Sequence, residues 1–399
     1  MTIADRWLLP DGMEEVLPPQ ARQIEELRRE LLDLFHTWGY DLVFPPPAEY
    51  LESLLTGSGN DLDLQTFKVT DQMTGRMMGI AADITPQVAR MDAHSMKRQG
   101  PARFCYCANV LRTKASSMLG SRSPMQVGAE LFGDHGLESD TEILGLMISA
   151  LATAGAGKVY LDMGHVGIYR ALIREADLTA DQEKTLFDAI LHKAYGEIDQ
   201  IVARDIANES VRGMISRLAR LNGGADVLAQ AQVELADAPA SVKEALTSLE
   251  QIAGVIKNQY PNVEINFDLA ELRGYNYHTG MVFAAYISGY SHAVAQGGRY
   301  DETGKVFGRA RPATGFSADL KILAKLLQKN DPVSGVYAPA GYSDDQELLS
   351  TIRALRSEGT RVVNGLPDQD VSALEMGCDS ELVLKDDGQW VVEPINRIF

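Results

Sequence analysis

Cysteine is scarce in this sequence, and its scarcity excludes a disulfide framework. Only three cysteines occur in 399 residues, and two of them, Cys105 and Cys107, alternate with apolar residues between positions 104 and 111. No His or Cys pair at zinc-ligand spacing accompanies them, so we interpret them as strand residues and expect no metal site. Low cysteine usage is typical of a reducing compartment, and we therefore expect a cytoplasmic protein.

Long apolar runs are also missing. No stretch of about 18 apolar residues appears, although 45% of the residues are hydrophobic. The N-terminus carries Asp5, Asp11, Glu14 and Glu15 where a signal peptide needs a basic stretch followed by an apolar one. The composition therefore predicts a globular chain with no membrane association, and the length predicts two or three domains.

Positive charge is in deficit. The chain has 37 Lys and Arg against 55 Asp and Glu, which gives a net charge of −18 and a pI near 4.8. Proteins bind phosphate backbones chiefly through Lys and Arg. The balance therefore disfavours a large tRNA-binding surface, although it does not exclude a local basic patch.

The apolar pattern of the N-terminal third predicts one helix and several strands. Apolar residues recur at three- and four-residue steps over residues 21–38, which predicts an amphipathic helix that Gly39 ends. The following strand, residues 40–44, is broken by three prolines, so it should lie at an edge or interface. Further strands are predicted over residues 67–69 and 76–80, which form a hairpin, and over residues 104–112, 125–132 and 263–269.

The strand over residues 125–132 has two unlike faces. Period-two geometry places Gln126, Gly128 and Glu130 on one face and apolar residues on the other. Gly128 between two hydrogen-bonding side chains leaves room for a small ligand. A solvated outer face is the alternative that the pattern leaves open.

The rest of the chain is organised as helices and a small terminal unit. The pattern Ser139-x-x-Glu142 predicts a capping box at the start of a helix. Residues from about 165 to 260 are rich in helix formers, which indicates a helical insertion between sheet strands. Residues 329–399 contain a helix-like segment at 346–357 and a strand-like segment at 361–364, so we interpret them as a small α/β domain.

Three glycine-rich strings carry the densest chemical pattern. They occupy residues 272–280, 296–301 and 313–317, and they combine glycine with Arg, Tyr and His. Glycine lets the backbone approach a ligand closely while its neighbours supply a cation and phenol hydroxyls.

With these strings the sequence resembles class II aminoacyl-tRNA synthetases, specifically the histidyl enzyme, over roughly residues 5–325. The resemblance implies an α+β fold with an antiparallel sheet flanked by helices. It implies a core at residues 1–328 with the helical insertion, followed by the small C-terminal domain. The proline-broken strand resembles the family's first motif, which implies a homodimer through the core.

The same resemblance implies a histidine pocket. The family's ammonium- and carboxylate-binding residues match Asp83, Thr85, Arg112, Gln126 and Glu130. The glycine-rich strings, which lie near the imidazole in that family, place Arg273, Tyr277 and His278 in the same expected pocket.

Departures from the family are equally informative. Lys114 stands where the second motif has an acidic ATP contact, and Ile322 stands where the third motif has an arginine that lies against ATP. An apolar side chain cannot replace a guanidinium, so adenylation should be lost and no cofactor is expected. His278 replaces a second tyrosine, which changes the hydrogen bonding and pH behaviour of the pocket.

A histidyl-synthetase-like chain without ATP chemistry and without a full anticodon domain resembles the regulatory subunits of ATP phosphoribosyltransferase. That resemblance implies a non-catalytic protein that forms a hetero-octamer with the short-form catalytic subunit. It also implies activation of that subunit and feedback inhibition by L-histidine, with no tRNA bound. The alternatives are an active histidyl-tRNA synthetase and another ATP-dependent synthetase paralogue.

Overall fold

The computed structural model describes residues 7–55, 59–115, 120–272, 274–275, 277–327, 334–342, 344–367 and 371–395. The chain divides into two compact units, Met1–Leu327 and Gln328–Phe399. Among the described helices, none has both the length and the apolar character that a bilayer crossing requires.

The first unit begins with the predicted amphipathic helix. Helix α1 (Gln20–Thr37) buries an apolar stripe that includes Leu27, Leu31 and Phe35. Gly39 follows it with a φ of +84°, a left-handed conformation that favours glycine. The helix therefore starts and stops within one residue of the prediction.

The proline-broken strand lies at a sheet edge, as predicted. Only two of its residues pair: β1 (Asp41–Leu42) runs parallel to β5 (Ala102–Asn109) at one end of the large sheet. Three strands form a separate small antiparallel sheet, β2 (Ala48–Tyr50), β3 (Lys68–Thr70) and β4 (Met77–Ile80). The predicted hairpin is β3–β4, and Gly75 turns it with a φ of +74°.

The large sheet has nine strands and positions the site. Its remaining strands are β6 (Met125–Phe132), β7 (Val159–His165), β8 (Asn222–Gly223), β9 (Val263–Asp268), β10 (Met281–Ile287), β11 (Ala295–Arg299) and β12 (Ala313–Asp319). Their order is β1-β5-β6-β12-β11-β10-β7-β9-β8.

The pairing in this sheet is mixed. The central pairs are antiparallel, as expected, whereas β1 pairs with β5 and β7 pairs with β9 in parallel. Parallel neighbours require a long crossover, and the helical insertion between β7 and β9 provides it. The α+β class is confirmed, and the parallel pairs are the feature that the resemblance did not specify.

Helices cover one face of the sheet and form the insertion. Within the first unit they are α2 (Leu51–Leu55), α3 (Gly59–Gln65), α4 (Thr85–Arg90), α5 (Leu137–Thr153), α6 (Val166–Ala176), α7 (Ala180–Leu191), α8 (Tyr195–Asp205), α9 (Glu209–Leu218), α10 (Asp226–Glu234), α11 (Ala240–Gln259) and α12 (Leu320–Ala324). A π-helical turn, Met91–Met96, extends α4. The main core forms where α1, α5 and α11 pack on the sheet.

The predicted capping box of α5 is wrong. The helix begins at Leu137, and its N-cap residue is Gly136, which offers no side-chain cap. The Ser139 hydroxyl instead donates to Gly136 O at 2.9 Å. The Glu142 carboxylate accepts two hydrogen bonds from Arg103, both at 2.7 Å. Glu142, which the local pattern assigned to capping, forms a tertiary ion pair with Arg103 instead.

A partly buried histidine caps α6 and makes stability depend on pH. His165 Nδ1 accepts a hydrogen bond from Gly167 N at 3.1 Å. Burial, aided by the positive charge of Arg299, lowers the pKa of His165 to about 4 from 6.5. The unfolded chain binds this proton more readily, so stability should fall as pH drops from 6.5 towards 4.

His165→Asn should remove this pH dependence, because Asn keeps the cap but does not titrate. We expect wild type to lose up to about 3 kcal/mol across that window through this group, and the variant to lose correspondingly less. Urea unfolding at pH 4.5, 5.5 and 7.0 measures the difference. If the free energy of unfolding changed equally with pH in the two proteins, the pH dependence would not come from His165.

The described residues of the second unit form a small four-stranded sheet and one helix. It contains β13 (Val336–Ala338), α13 (Gln346–Ser357), β14 (Val362–Asn364), β15 (Ser380–Leu384) and β16 (Trp390–Pro394), with strand order β14-β13-β15-β16. Asp345 caps α13 and also accepts a hydrogen bond from Trp390 Nε1 at 3.0 Å. This contact ties the helix to the last strand.

Candidate ligand-binding site

A pocket of about 530 Å³ opens on the face of the large sheet opposite α1 and α5. The side chains of β6 alternate between the main core and the pocket. Val127, Ala129 and Leu131 pack into the main core. Gln126 and Glu130 point the other way, and they are only 4% and 1% exposed. The polar face is therefore a buried floor, and the alternative of a solvated outer face is wrong.

Glycines make room for the polar side chains of this floor. Gly315 on β12 is the register partner of Glu130, and a Cβ at Gly315 would overlap Glu130 Oε2. A Cβ at Gly128 would lie 2.6 Å from the Tyr106 hydroxyl. Both positions thus need glycine for close approach of side chains.

Glu130 is a buried carboxylate held by two phenols. It accepts hydrogen bonds from the Tyr106 hydroxyl at 3.0 Å and from the Tyr300 hydroxyl. Burial raises the pKa of Glu130 to about 8, and the negative charge of Asp83 adds to the rise. The two phenols and the Thr85 hydroxyl oppose this rise in pKa, because their hydrogen bonds stabilise the charged form.

Asp83 belongs to a second cluster that is joined to the first. Its Oδ1 accepts hydrogen bonds from Gln126 Nε2 at 2.9 Å and from the Thr85 backbone N–H at 3.0 Å. The Thr85 hydroxyl lies 3.2 Å from the Tyr106 hydroxyl, which in turn donates to Glu130. The two carboxylates therefore share one hydrogen-bonded network at the pocket.

Aromatic rings form another wall. Tyr277 stacks on Tyr300 with ring centroids 4.8 Å apart, and His278 meets Tyr277 edge-on at 5.3 Å. Gly274 and Gly298 flank the His278 ring so closely that a Cβ at either would lie within 2.5–2.7 Å of it. Flat walls of this kind suit a planar ring in a ligand.

The structure brings most of the predicted site residues to one pocket. Those that line it are Asp83, Thr85, Arg112, Glu130, Tyr277 and His278. Gln126 lies behind Asp83 and binds it, whereas Arg273 lies outside the described residues. Arg112 is fixed by its Nε, which donates to Ala82 O at 3.1 Å.

Two functional residues were missed at the sequence level, Tyr106 and Tyr300. Tyr300 stands in a glycine-rich string that was singled out, but its contact with Glu130 spans 170 positions. Tyr106 lies opposite Gly128 across the β5–β6 pair. The period-two pattern of β5 could have identified Tyr106, because pairing Tyr106 with Gly128 places it on the polar face of β6.

Of the two positions that depart from the synthetase motifs, one packs against the core and the other is exposed. Ile322 on α12 packs against the main core. Its neighbour Lys321 is 7% exposed, and its Nζ donates to Ser123 O at 2.8 Å and lies 3.5 Å from Glu14. Lys114 is exposed. In the described part of the chain, α12 contains no arginine that could contact a nucleotide. Nor do three metal-binding side chains converge anywhere in that part.

Family models match both units. The model described as Histidyl-tRNA synthetase matches residues 12–323. The model described as ATP phosphoribosyltransferase subunit HisZ C-terminal domain matches residues 333–393.

Solved structures support the same fold. An ATP phosphoribosyltransferase regulatory subunit/histidyl-tRNA synthetase from Bacillus halodurans aligns with a TM-score of 0.81 at 27% identity, covering 94% of this chain and 97% of that one. A histidyl-tRNA synthetase from Nostoc aligns at 0.78 and 18%, covering 97% of each. A chain of an ATP phosphoribosyl transferase (HisG:HisZ) complex from Thermotoga maritima aligns at 0.58 and 19%, covering 77% and 98%.

Curated relatives match along the whole length. An ATP phosphoribosyltransferase regulatory subunit from Chromohalobacter salexigens is 56% identical over 99% of this chain and 100% of its own. One from Pseudomonas aeruginosa is 54% identical with the same coverage. The chain therefore belongs to the ATP phosphoribosyltransferase regulatory subunits, non-catalytic members of an enzyme complex that are built on the histidyl-tRNA synthetase fold.

Proposed function

We propose that this chain binds L-histidine in the pocket and transmits feedback inhibition to a short-form catalytic subunit that it also activates. One observation carries the proposal: Asp83 and Glu130 share one hydrogen-bonded network at the pocket, while Ile322 on α12 is partly buried and packs against the main core. The amino-acid half of a synthetase site is retained, and the nucleotide half is not.

The polar groups of the pocket suit an amino acid. Asp83 and Glu130 can neutralise an ammonium, and charge-assisted hydrogen bonds of this kind are worth about 1.5–3 kcal/mol each. Arg112 offers its guanidinium to a carboxylate. The partly exposed rings of Tyr277 and His278 line the pocket and can contact an imidazole.

The competing function, an active histidyl-tRNA or other ATP-dependent synthetase, needs a bound nucleotide. The packing of Ile322 and the exposed Lys114 argue against it, because neither supplies the charge that those motif positions provide in the family. Histidine-dependent exchange of pyrophosphate into ATP separates the two functions. We expect no exchange above the rate without histidine.

For assembly, we propose a hetero-octamer in the cytoplasm, with homodimers that form through the synthetase-like core. The edge of the large sheet supports this, since Leu42 and Phe44 beside the prolines are 42% and 68% exposed. The Thermotoga complex that shares the fold supports the pairing with a catalytic subunit. Histidine would favour the inhibited arrangement of this oligomer by binding it more tightly.

The test is calorimetric titration of the purified chain with L-histidine, with and without ATP, followed by the rate of the catalytic subunit as the chain is added. We expect binding that does not depend on ATP, and a catalytic rate that rises on addition and falls when histidine is present. Histidine inhibition of the complex without histidine binding to this chain would place the feedback site in the partner. ATP-coupled turnover of histidine would overturn the proposal.

A further inference from the structure

We propose that histidine binding expels a proton from Glu130, so that the sensor loses affinity as the surrounding pH falls. The inference rests on the proposed histidine site and adds a regulation to it. It follows from where the carboxyl group lies and from which groups face it.

The surroundings of Glu130 contain few groups that favour its charge. Its side chain on β6 is 1% exposed. Tyr106 from β5 and Tyr300 after β11 donate to it, and these phenols are themselves almost fully buried. Gly315 faces it from β12 and leaves no side chain there.

The charged group nearest in the network is another acid. Asp83, just before α4, connects to Glu130 through Thr85 and Tyr106. The hydrogen bonds that favour the charged form of Glu130 come from neutral hydroxyl groups, those of Tyr106, Tyr300 and Thr85. Arg112 lines the same pocket, but its Nε is held at Ala82 O. Within the described residues, the unliganded carboxyl group is thus buried beside a like charge and accepts no hydrogen bond from a cation.

The consequence is a protonated acid at neutral pH. Burial raises the pKa of Glu130 to about 8, so about nine-tenths of the unliganded molecules carry this proton at pH 7. An entering ammonium supplies the missing positive charge and stabilises the ionised form. The carboxyl O–H bond breaks, its electron pair stays on the carboxylate, and the proton passes to the buffer.

Two substitutions should move the titration in opposite directions. Tyr300→Phe removes a donor that stabilises the carboxylate, so the pH midpoint of binding should rise. Asp83→Asn removes the neighbouring negative charge, so the midpoint should fall even though binding weakens. Tyr40→Phe is the matched control, because the Tyr40 hydroxyl donates at 2.8 Å to a different carboxylate, Glu142, which does not line the pocket.

The experiment is calorimetry of the full chain with L-histidine between pH 6.5 and 9.5, in pairs of buffers with different ionisation enthalpies. The ionisation of free L-histidine is the same in every titration, so differences in proton release between variants come from the protein. We expect wild type to release about 0.9 protons from this group at pH 7 and almost none at pH 9.5. Affinity should rise about fivefold from pH 7 to 8 through this group.

Three results would count against the inference. Binding with no proton release would mean that Glu130 is already ionised, and the proposed histidine site would survive. Equal shifts of the pH midpoint of binding in Tyr300→Phe and Tyr40→Phe would mean that the titrating group is not Glu130. Absence of binding at every pH would overturn both this inference and the proposed function.

Discussion

Replacing Glu130 with Gln is expected to raise the dissociation constant for histidine by about 100-fold or more while the complex with the catalytic subunit still assembles. Gln has nearly the same shape and can still accept from one phenol. It lacks the charge that an ammonium requires, and that charge-assisted bond is worth about 1.5–3 kcal/mol, with the burial of an unpaired cation adding to the loss. Histidine inhibition should disappear, and activation by assembly should remain.

The measurements are a histidine titration and a rate assay of the reconstituted complex. Glu264→Gln is a suitable control, because this carboxylate is half-exposed in an ion pair with Lys158 and lies outside the pocket. Inhibition that persists in Glu130→Gln would place the sensor elsewhere.

A stability measurement on the same variant tests its packing. The pKa of Glu130 in the folded chain, about 8, lies above the ordinary glutamate value of 4.5. The folded state therefore holds this proton more tightly, and wild type should lose stability as pH rises from 4.5 to 8. Glu130→Gln should lack this loss. Greater instability of the variant at pH 8 would show that Gln disrupts the fold.

The local structure was predictable where short-range patterns decide it. Helix α1 follows from apolar spacing and a stop at Gly39, and the β3–β4 hairpin follows from a turn that Gly75 permits. The two faces of β6 follow from period two. In each case neighbouring residues determine the result, so no distant contact has to be known.

The failures have a common physical origin in distant partners. Glu142 does not cap α5 because Arg103, 39 positions away, takes its carboxylate. Whether the polar face of β6 is wet or buried depends on what covers it, and the cover includes Tyr300, 170 positions away. Strands β15 and β16 pair with each other, yet neither was singled out in a tail of mixed composition.

The candidate site was predicted through resemblance more than through pattern. Pattern alone identified a polar strand face and three glycine-rich strings. The resemblance named the residues, and the structure shows that six of them line one pocket. The network that links them through Tyr106 and Tyr300 required the three-dimensional arrangement, because these phenols act on Glu130 from different strands.

Gly315→Ala is expected to abolish histidine binding and to destabilise the chain. The added methyl group would overlap Glu130 Oε2 and approach Ala129 O to 2.8 Å. The carboxylate must then move, which breaks its hydrogen bond from Tyr300 and occupies ligand space. Overpacking of this kind typically costs about 1–3 kcal/mol. Gly157→Ala is the matched control, because a Cβ there meets nothing within 4 Å.

A double variant separates loss of the site from loss of the fold. Glu130→Ala removes the carboxylate that the new methyl group overlaps, so Gly315→Ala should cost less in the Glu130→Ala background than in wild type. Denaturant unfolding of the four proteins gives this coupling energy, which we expect to favour the double variant by about 1 kcal/mol or more. Neither Glu130→Ala nor Gly315→Ala should bind histidine. Strictly additive stabilities would mean that Gly315 is required for its backbone and not for the room that it gives Glu130.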